Sequence, residues 1–223
     1  MKIIARIYTD FKEKFGIPRQ SGIVKNTARI VFEPEYRVDE ALRGIEGYSH
    51  LWIIWKFSEA ELSEWSPTVR PPRLGGNKRM GVFATRSPYR PNPIGLSSIE
   101  LIRIEKTKAL GTTLIVRGAD MLDGTPIYDI KPYLAYTDSH PEAVGGFSDG
   151  VLGYRTEVEI PQQYQEMLSE CELSEIKALL EHDPRPSYKG DSMREYGMIY
   201  GNHEIFFKGL GGKLTVTRIE KRR

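Results

Sequence analysis

The chain has 223 residues, of which 39% are hydrophobic and 28% charged, and its formal net charge is +2. These values are typical of a folded soluble protein with one or two domains. No apolar run approaches the ~20 residues of a membrane helix, and we expect neither a membrane span nor a secretory signal. Cys171 is the only cysteine, which excludes an intrachain disulfide and favours a reducing, cytoplasmic location.

The first half of the chain is predicted to consist of short strands joined by turns. We predict a long loop over Phe11–Asn26, which contains two glycines and a proline, and one or two helical turns over Val38–Gly44. Alternating or β-branched patterns predict strands in seven segments: Lys2–Tyr8, Thr27–Phe32, Tyr48–Phe57, Met80–Ala84, Ser97–Lys106, Thr112–Arg117 and Ile127–Lys131. Many strands without helices between them favour an antiparallel β-barrel or sandwich over a doubly wound fold.

The composition changes after residue 135. Tyr136–Gly153 is rich in Ser, Asp, His, Pro and Gly and is predicted to be a linker. Pro161–His182 carries the helical pattern, which we interpret as two helices broken near Leu173. A hairpin around a Gly-Asn turn and a further strand should follow, over 196–208 and 213–219. We therefore predict a mainly β domain over 1–135, a linker over 136–155 and a small α+β domain over 156–223.

Basic residues are concentrated in the middle of the chain. Between Trp65 and Ile99 there is no Asp or Glu, whereas the segment contains six Lys and Arg residues. An acid-free basic segment in a nearly neutral chain indicates a local site for an anion. A solvated loop with scattered counterions is the alternative.

Within this segment, Gly81–Leu96 (GVFATRSPYRPNPIGL) combines rigidity with positive charge. Its prolines restrict the backbone, and Gly95 is expected to permit an unusual turn. Arg86 and Arg90 carry planar guanidinium groups that suit a carboxylate, a phosphate or the face of a base. The segment predicts a site for an anionic or nucleotide-like ligand, although a rigid surface turn would have the same composition.

Several standard site motifs are missing. The chain has no G-x-G-x-x-G after a strand, no P-loop and no G-x-S-x-G elbow. The four histidines have no metal-binding spacing, so we expect no metal. Cys171 lies in an amphipathic stretch and is interpreted as a packing or bystander residue.

The segment Arg70–Ser97 (RPPRLGGNKRMGVFATRSPYRPNPIGLS) resembles the signature of the TsaA-like, or TrmO, family. The resemblance extends to four further segments and so covers nearly the whole chain: Lys14–Gly22, Ser49–Trp55, Asp123–Leu134 and Asp183–Tyr188. It is weak over Tyr136–Arg155 and at the extreme C-terminus, which leaves the RNA contacts of the second domain open.

The resemblance implies an S-adenosyl-L-methionine-dependent tRNA methyltransferase that acts as a homodimer and holds its cofactor in a β-barrel. The implied reaction is N6-methylation of N6-threonylcarbamoyladenosine, the modified nucleoside 3′ of the anticodon, so the implied partner is the tRNA anticodon loop. Two other classes remain open: a non-catalytic RNA-binding module that retains a nucleotide pocket, and a phosphotransferase. The missing P-loop and metal ligands count against the phosphotransferase.

Family residues transfer to matching positions of this sequence. The implied cofactor contacts are Pro18, Arg19, Gln20, Phe57, Ser58, Arg86, Leu96, Asp123, Gly124, Thr125, Pro126 and Ile127. His50 is expected to lie farther from the cofactor. Asp129 or Asp123 is the candidate to orient or deprotonate the acceptor nitrogen. The candidate substrate or tRNA contacts are Tyr89, Arg90, Arg185 and Tyr188, although a helix stop and a packing tyrosine would equally explain the last two.

Overall fold

The structure is a computed structural model that describes residues 1–60, 64–71, 78–151, 153–185 and 194–222. Its N-terminal part contains eight strands: β1 Ala5–Tyr8, β2 Thr27–Phe32, β3 His50–Lys56, β4 Thr68–Val69, β5 Met80–Gly81, β6 Ile94–Thr107, β7 Gly111–Arg117 and β8 Thr125–Pro132. β4 and β5 form a separate two-stranded ribbon. The other six are paired antiparallel in the order β1-β2-β7-β6-β3-β8, and β8 also pairs with β1, so that the pairings form a closed ring.

Alternating side chains build the core inside this ring. In β3, Leu51, Ile53 and Trp55 are buried, whereas the residues between them are partly exposed. This period-2 pattern is the one expected when one face of a sheet is packed and the other is not. The strands around the ring contribute further buried side chains, including Ile7, Ile30, Ile99, Leu114, Val116 and Ile127.

The C-terminal part is a four-stranded sheet with a helix packed against it. Its strands are β9 Glu157–Glu159, β10 Tyr196–Tyr200, β11 His203–Leu210 and β12 Lys213–Lys221, in the order β10-β11-β12-β9. The helices of the second half are α1 Ala135–Asp138, α2 Gln162–Gln165 and α3 Glu170–Glu181. α3 begins with a capping box in which the Ser169 side chain accepts from the Glu172 amide and the Glu172 side chain accepts from the Ser169 amide.

The long loop between β1 and β2 takes part in the C-terminal core. Phe11 and Val24 are 2% exposed and pack with buried residues of α3 and β10–β12. The Phe15 ring stacks on Tyr196 at 6.2 Å and on Phe207 at 6.4 Å. The loop is therefore held by the C-terminal part as well as by the ring from which it leaves.

The predicted mainly β fold and its antiparallel pairing are confirmed. Each predicted strand segment overlaps an observed strand, although some strands are shorter or longer than expected, the Gly-Asn turn joins β10 to β11, and a 3₁₀ turn lies at Asp39–Leu42. Within the part of the chain that the structure describes, no helix is both long enough and apolar enough to cross a membrane.

Three expectations about local structure were wrong. Only Met80–Gly81 is strand, because a 3₁₀ turn begins at Val82. The break between the helices lies at 166–169, where the Ser169 cap starts a new helix, and not near Leu173. The segment predicted as a linker, 136–155, includes most of α1 and a 3₁₀ segment at Gly146–Val151. β9 was missed because a three-residue strand gives almost no pattern, and it pairs parallel with β12.

Candidate functional site

One end of the ring carries the segments that the sequence singled out. Because neighbouring strands are antiparallel, the ends of β1, β3 and β7 lie at the same edge as the starts of β2, β6 and β8. The connections that leave this edge are 9–26, 57–93 and 118–124. They contain the predicted Pro-Arg-Gln, proline-rich and Asp-Gly-Thr-Pro segments, so the fold places at one edge what is far apart in the sequence.

Two of the predicted cofactor residues are hydrogen-bonded partners. Nη1 of Arg86, in the proline-rich loop, donates to Oε1 of Gln20, in the first loop. Pro18 is buried, and exposed Arg19 reaches the backbone carbonyl of Asp183 with Nη2 at 3.5 Å. The guanidinium of Arg86 is itself exposed, so its other donors can reach a bound carboxylate or phosphate.

A chain of hydrogen bonds runs from the core of the ring to this edge. Nε1 of Trp55 donates to Oγ of Ser97 at 3.0 Å, and Oγ of Ser97 donates to Oδ1 of Asp120 at 2.6 Å. Trp55 is 5% exposed and Ser97 is 1% exposed. Burial is the main cause that raises the pKa of Asp120 to about 6, whereas the Ser97 hydroxyl, the charge of Arg86 and the Ser21 amide act in the opposite direction.

Gly95 has a different role from the turn that we expected. It lies in β6 opposite Trp55, and its backbone is not in the left-handed region. A Cβ at this position would lie 2.6 Å from Cδ2 of Trp55, which is shorter than the distances that Cβ atoms in proteins keep from other heavy atoms. The glycine leaves the space into which the indole packs, and Phe57 covers that indole with its ring centroid 4.2 Å away. Ser58 follows Phe57 and is exposed.

The Asp123–Pro126 turn is fastened to the end of β1. Oδ1 of Asp123 accepts from the Thr9 amide at 2.9 Å, and Oδ2 forms an ion pair with Nζ of Lys12 at 2.9 Å. Gly124 adopts a φ of 76°, which a residue with a side chain rarely adopts. Thr125, Pro126 and Ile127 are buried, so the side chains of Asp123 and the backbone of Gly124 are the accessible parts of the turn.

Two predicted site residues lie on the outer face of the ring. Leu96 of β6 and Asp129 of β8 both pair with Ile54 of β3, the strand that lies between them. Leu96 is 58% exposed, and the Asp129 carboxylate pairs with Nζ of Lys131 at 3.1 Å. Successive residues of a strand point to opposite faces, so the structure does not bring Leu96 and Asp129 together with Ser97 and Asp120.

The proline-rich loop is braced by its own side chains. Nη1 of Arg90 donates to the carbonyl of Thr85 at 3.1 Å and to that of Ser87 at 3.4 Å. The Ser87 hydroxyl accepts from the Tyr89 amide at 3.2 Å, and the Tyr89 ring is 46% exposed. Arg90 thus stabilises the loop, while Tyr89 is presented to solvent.

The remaining candidates are Arg185, Tyr188 and His50. Arg185 pairs through two nitrogens with the Asp183 carboxylate at 2.9 Å, and its side chain is only 10% exposed. That geometry stabilises the C-terminal part and leaves little surface for RNA. Tyr188 lies outside the residues that the structure describes. His50 begins β3 at the opposite edge of the ring. Within the described ranges, no group of three or more His, Cys, Asp or Glu side chains is arranged to hold a metal.

Sequence reasoning missed Ser97 and Asp120. The available signal was a single carboxylate between buried Ala119 and Met121, just after a strand and three residues before the Asp-Gly-Thr-Pro turn. A carboxylate in an apolar setting near a cleft is a candidate functional group.

Comparison with known proteins gives these features a common context. Two family models match the chain: the tRNA-methyltransferase O N-terminal domain over residues 6–139 and the TrmO C-terminal domain over residues 154–222. The tRNA (adenine(37)-N6)-methyltransferase of Escherichia coli (strain K12) is 41% identical over 193 residues, which cover 83% of this chain and 82% of that protein.

Two further matches concern the cofactor and the fold. An Archaeoglobus fulgidus relative named "Probable S-adenosyl-L-methionine-binding protein" is 36% identical over 150 residues, which cover 67% of this chain and 38% of that protein. A crystal structure of TrmO from Pseudomonas aeruginosa superposes with a TM-score of 0.78 at 30% identity, covering 98% of this chain and 95% of that one. Because both family models match in order and together span most of the sequence, the chain belongs to the TrmO family of tRNA methyltransferases.

Proposed function

We propose that the protein transfers a methyl group from S-adenosyl-L-methionine to N6 of adenosine 37 in tRNA, and that its preferred acceptor is the threonylcarbamoylated form. The observation that carries this proposal is the meeting of the Gln20–Arg86 pair with Ser97 and Asp120 at one edge of the ring. The Escherichia coli and Eikenella corrodens relatives are named tRNA (adenine(37)-N6)-methyltransferase. We further infer that the six-stranded ring is the barrel that holds the cofactor, that residues 1–135 form the cofactor domain, and that 156–223 form a tRNA-contacting domain.

The residues at this edge fit such a cofactor. Arg86 lies at this edge as an implied cofactor contact, and its hydrogen bond to Gln20 fixes its orientation. The partly exposed backbone at Gly124 offers a close approach to a ligand, and the partly exposed Phe57 offers an aromatic surface to an adenine ring. When bound, the cofactor supplies an activated methyl group, and the protein then has to place the acceptor nitrogen in line with it.

The acceptor nitrogen requires a group that orients it or removes its proton. Asp123 is engaged by Thr9 and Lys12, which favours a role in holding the turn. Asp129 keeps 46% of its side chain exposed beside Lys131, so it remains the candidate for this role. With the Asp129→Asn variant, turnover should fall while cofactor affinity is unchanged. Normal turnover in that variant would remove Asp129 from the mechanism.

The threonylcarbamoyl group of the preferred acceptor carries a carboxylate. Arg86, with donors beyond its bond to Gln20, is the candidate to read it, because Arg90 is occupied within its own loop. A site built for a charged group discriminates strongly against an analogue that lacks it. We therefore expect unmodified adenosine to be a poor substrate.

Exposed aromatic residues favour contact with single-stranded RNA. Trp65 and Phe83 are 52% and 74% exposed, and their rings stack with centroids 6.4 Å apart. They lie in or beside the acid-free basic segment, together with exposed Tyr89. Anticodon-loop bases stack on such rings while cations contact the phosphates. A tRNA substrate also implies a cytoplasmic location.

A homodimer would complete the outer part of the site. Leu96 is implied to contact the cofactor, yet it lies on the outer face with 58% exposure, beside Ile54 and Asp129. A second copy packed on this face would cover Leu96 and bring Asp129 near a bound ligand. Light scattering of the purified protein and of Leu96→Asp tests this arrangement, because only the wild type should then be dimeric.

The decisive assay is methyl transfer from labelled S-adenosyl-L-methionine to tRNA with and without threonylcarbamoyladenosine. We expect label in the modified tRNA alone. Equal labelling of both would refute the reading of the carboxylate by Arg86. Cofactor binding without label in either tRNA would favour the non-catalytic RNA-binding module, and phosphate release from nucleotides would revive the phosphotransferase.

A further inference from the structure

Asp120 contacts or faces each of the segments that meet at the edge of the ring. From β6, the Ser97 hydroxyl donates to it at 2.6 Å, and Ser97 in turn accepts from Trp55 of β3. The Ser21 amide of the first loop, directly after Gln20, lies near enough to favour the ionised carboxylate. From the proline-rich loop, the Arg86 charge lies close enough to stabilise the ionised form.

Keeping a carboxylate at this place is unfavourable for folding. Asp120 lies between buried Ala119 and Met121, and burial opposes its ionised form. An asparagine would accept the Ser97 hydrogen bond without that penalty. However, it would not supply the charge that faces Arg86, nor two oxygens that both accept from N–H and O–H donors. A carboxylate at this unfavourable place therefore indicates a function that requires its charge.

We propose that Asp120 is a positioning residue of the cofactor site, whose negative charge holds the Ser21 amide and the Arg86 guanidinium so that Gln20 and Arg86 are ready to receive the ligand. This inference rests on the proposed function, since it assigns the ligand of that edge as the methyl donor. Asp120 acts through Gln20 and Arg86 and is not assigned a contact with the reacting atoms.

The charge requirement makes ligand affinity depend on pH. The groups that favour the ionised form of Asp120 are the Arg86 guanidinium, the Ser97 hydroxyl, the Ser21 amide and its own backbone amide. Protonation of the carboxylate weakens its hold on the N–H donors and removes the counter-charge of Arg86. Affinity should therefore rise as the pH increases through the pKa of Asp120 and be lost below it.

The test measures the affinity of S-adenosyl-L-homocysteine, the demethylated cofactor, by calorimetry between pH 5 and 8. Wild type should gain roughly tenfold in affinity across a midpoint near the Asp120 pKa of about 6. Asp120→Asn should bind about tenfold more weakly at pH 7.5, with no midpoint. Ser97→Ala removes a hydrogen bond that favours the ionised form, so it should move the midpoint to higher pH.

Asp39→Asn is the matched control. Thr112 donates to Oδ1 of Asp39 at 2.6 Å, the same hydroxyl–carboxylate pairing as at Asp120 but away from the candidate site. This variant should keep the wild-type affinity and midpoint. A folded Asp120→Asn with the affinity and midpoint of wild type would overturn the proposal, as would a Ser97→Ala midpoint that does not move.

Failure of the proposed function would look different. If wild type binds no S-adenosyl-L-homocysteine at any pH, the assigned ligand is wrong, and the positioning role is then tested by NMR. Arg86 side-chain and Ser21 amide resonances that follow the Asp120 titration would support it. Resonances that do not move with that titration would contradict it.

Discussion

Replacing Gly95 with alanine should distort the centre of the candidate site. The new Cβ would lie 2.6 Å from Cδ2 of Trp55 and would overlap the neighbouring ring atoms. Either the indole or strand β6 must move by about 1 Å to restore van der Waals contact. Overpacking of this kind lowers the free energy of unfolding by about 1 to 3 kcal/mol. Breaking the Trp55–Ser97 hydrogen bond would lower it by about 1 kcal/mol more. We expect a total loss of about 2 to 4 kcal/mol.

Urea denaturation followed by tryptophan fluorescence measures this loss. With an m-value of about 2 to 3 kcal/mol/M, the midpoint should fall by about 1 M. Gly81→Ala is the control, because no atom lies within 4 Å of a Cβ at that position and its φ of −58° suits alanine. The double variant Gly95→Ala with Trp55→Phe should recover part of the stability, since the smaller ring leaves room. A Gly95→Ala protein as stable as wild type would refute the close-packing argument.

Three other predictions follow from the described contacts. The Asp120 carboxyl ionises less readily in the folded than in the unfolded chain. As far as this group is concerned, the free energy of unfolding should be highest below pH 3.8 and should fall as the pH rises through about 6, by at most about 3 kcal/mol in total. Urea melts at pH 5 and 7.5 should thus show wild type losing stability relative to Asp120→Asn, and a constant difference would contradict this. Phe15→Ala removes a ring that stacks on Tyr196 and Phe207, so it should lower the free energy of unfolding by about 2 to 3 kcal/mol. It should also lower the affinity for S-adenosyl-L-homocysteine several-fold, because the first loop is held less firmly. Wild-type affinity in calorimetry would show that packing of this loop on the C-terminal core does not affect ligand binding. Phe83→Ala should lower tRNA affinity about tenfold in a filter-binding assay while leaving the urea midpoint unchanged, because its exposed ring stacks on a base at about 1 to 3 kcal/mol; unchanged tRNA affinity would exclude Phe83 from the RNA contact.

The strands of this protein could be predicted from the local sequence because hydrophobic and more polar residues alternate along them. Burial of every second residue in β3 follows from the hydrophobic sequence around Leu51, Ile53 and Trp55, and the Gly-Asn pair alone predicts the turn between β10 and β11. The family segments were recognisable for a similar reason, since the proline-rich stretch is long and unusual. Local chemistry also predicts the start of α3, although the capping box at Ser169 was overlooked in favour of a break near Leu173.

Tertiary structure alone decided how these segments are used. Pattern within a strand does not reveal which strands are neighbours, so the meeting of Ser97, Asp120 and Gln20 at one edge depends on the ring of pairings. The same pairing sets Gly95 against Trp55 and gives the glycine a packing role in place of the expected turn. The segment around Phe15 was predicted only to be a long loop, yet its aromatic side chains complete the core of the C-terminal part, more than 130 positions later. Short-range patterns determine the elements, whereas contacts between distant positions determine the site, because the hydrogen bonds and close packing that form it exist only once the chain has closed on itself.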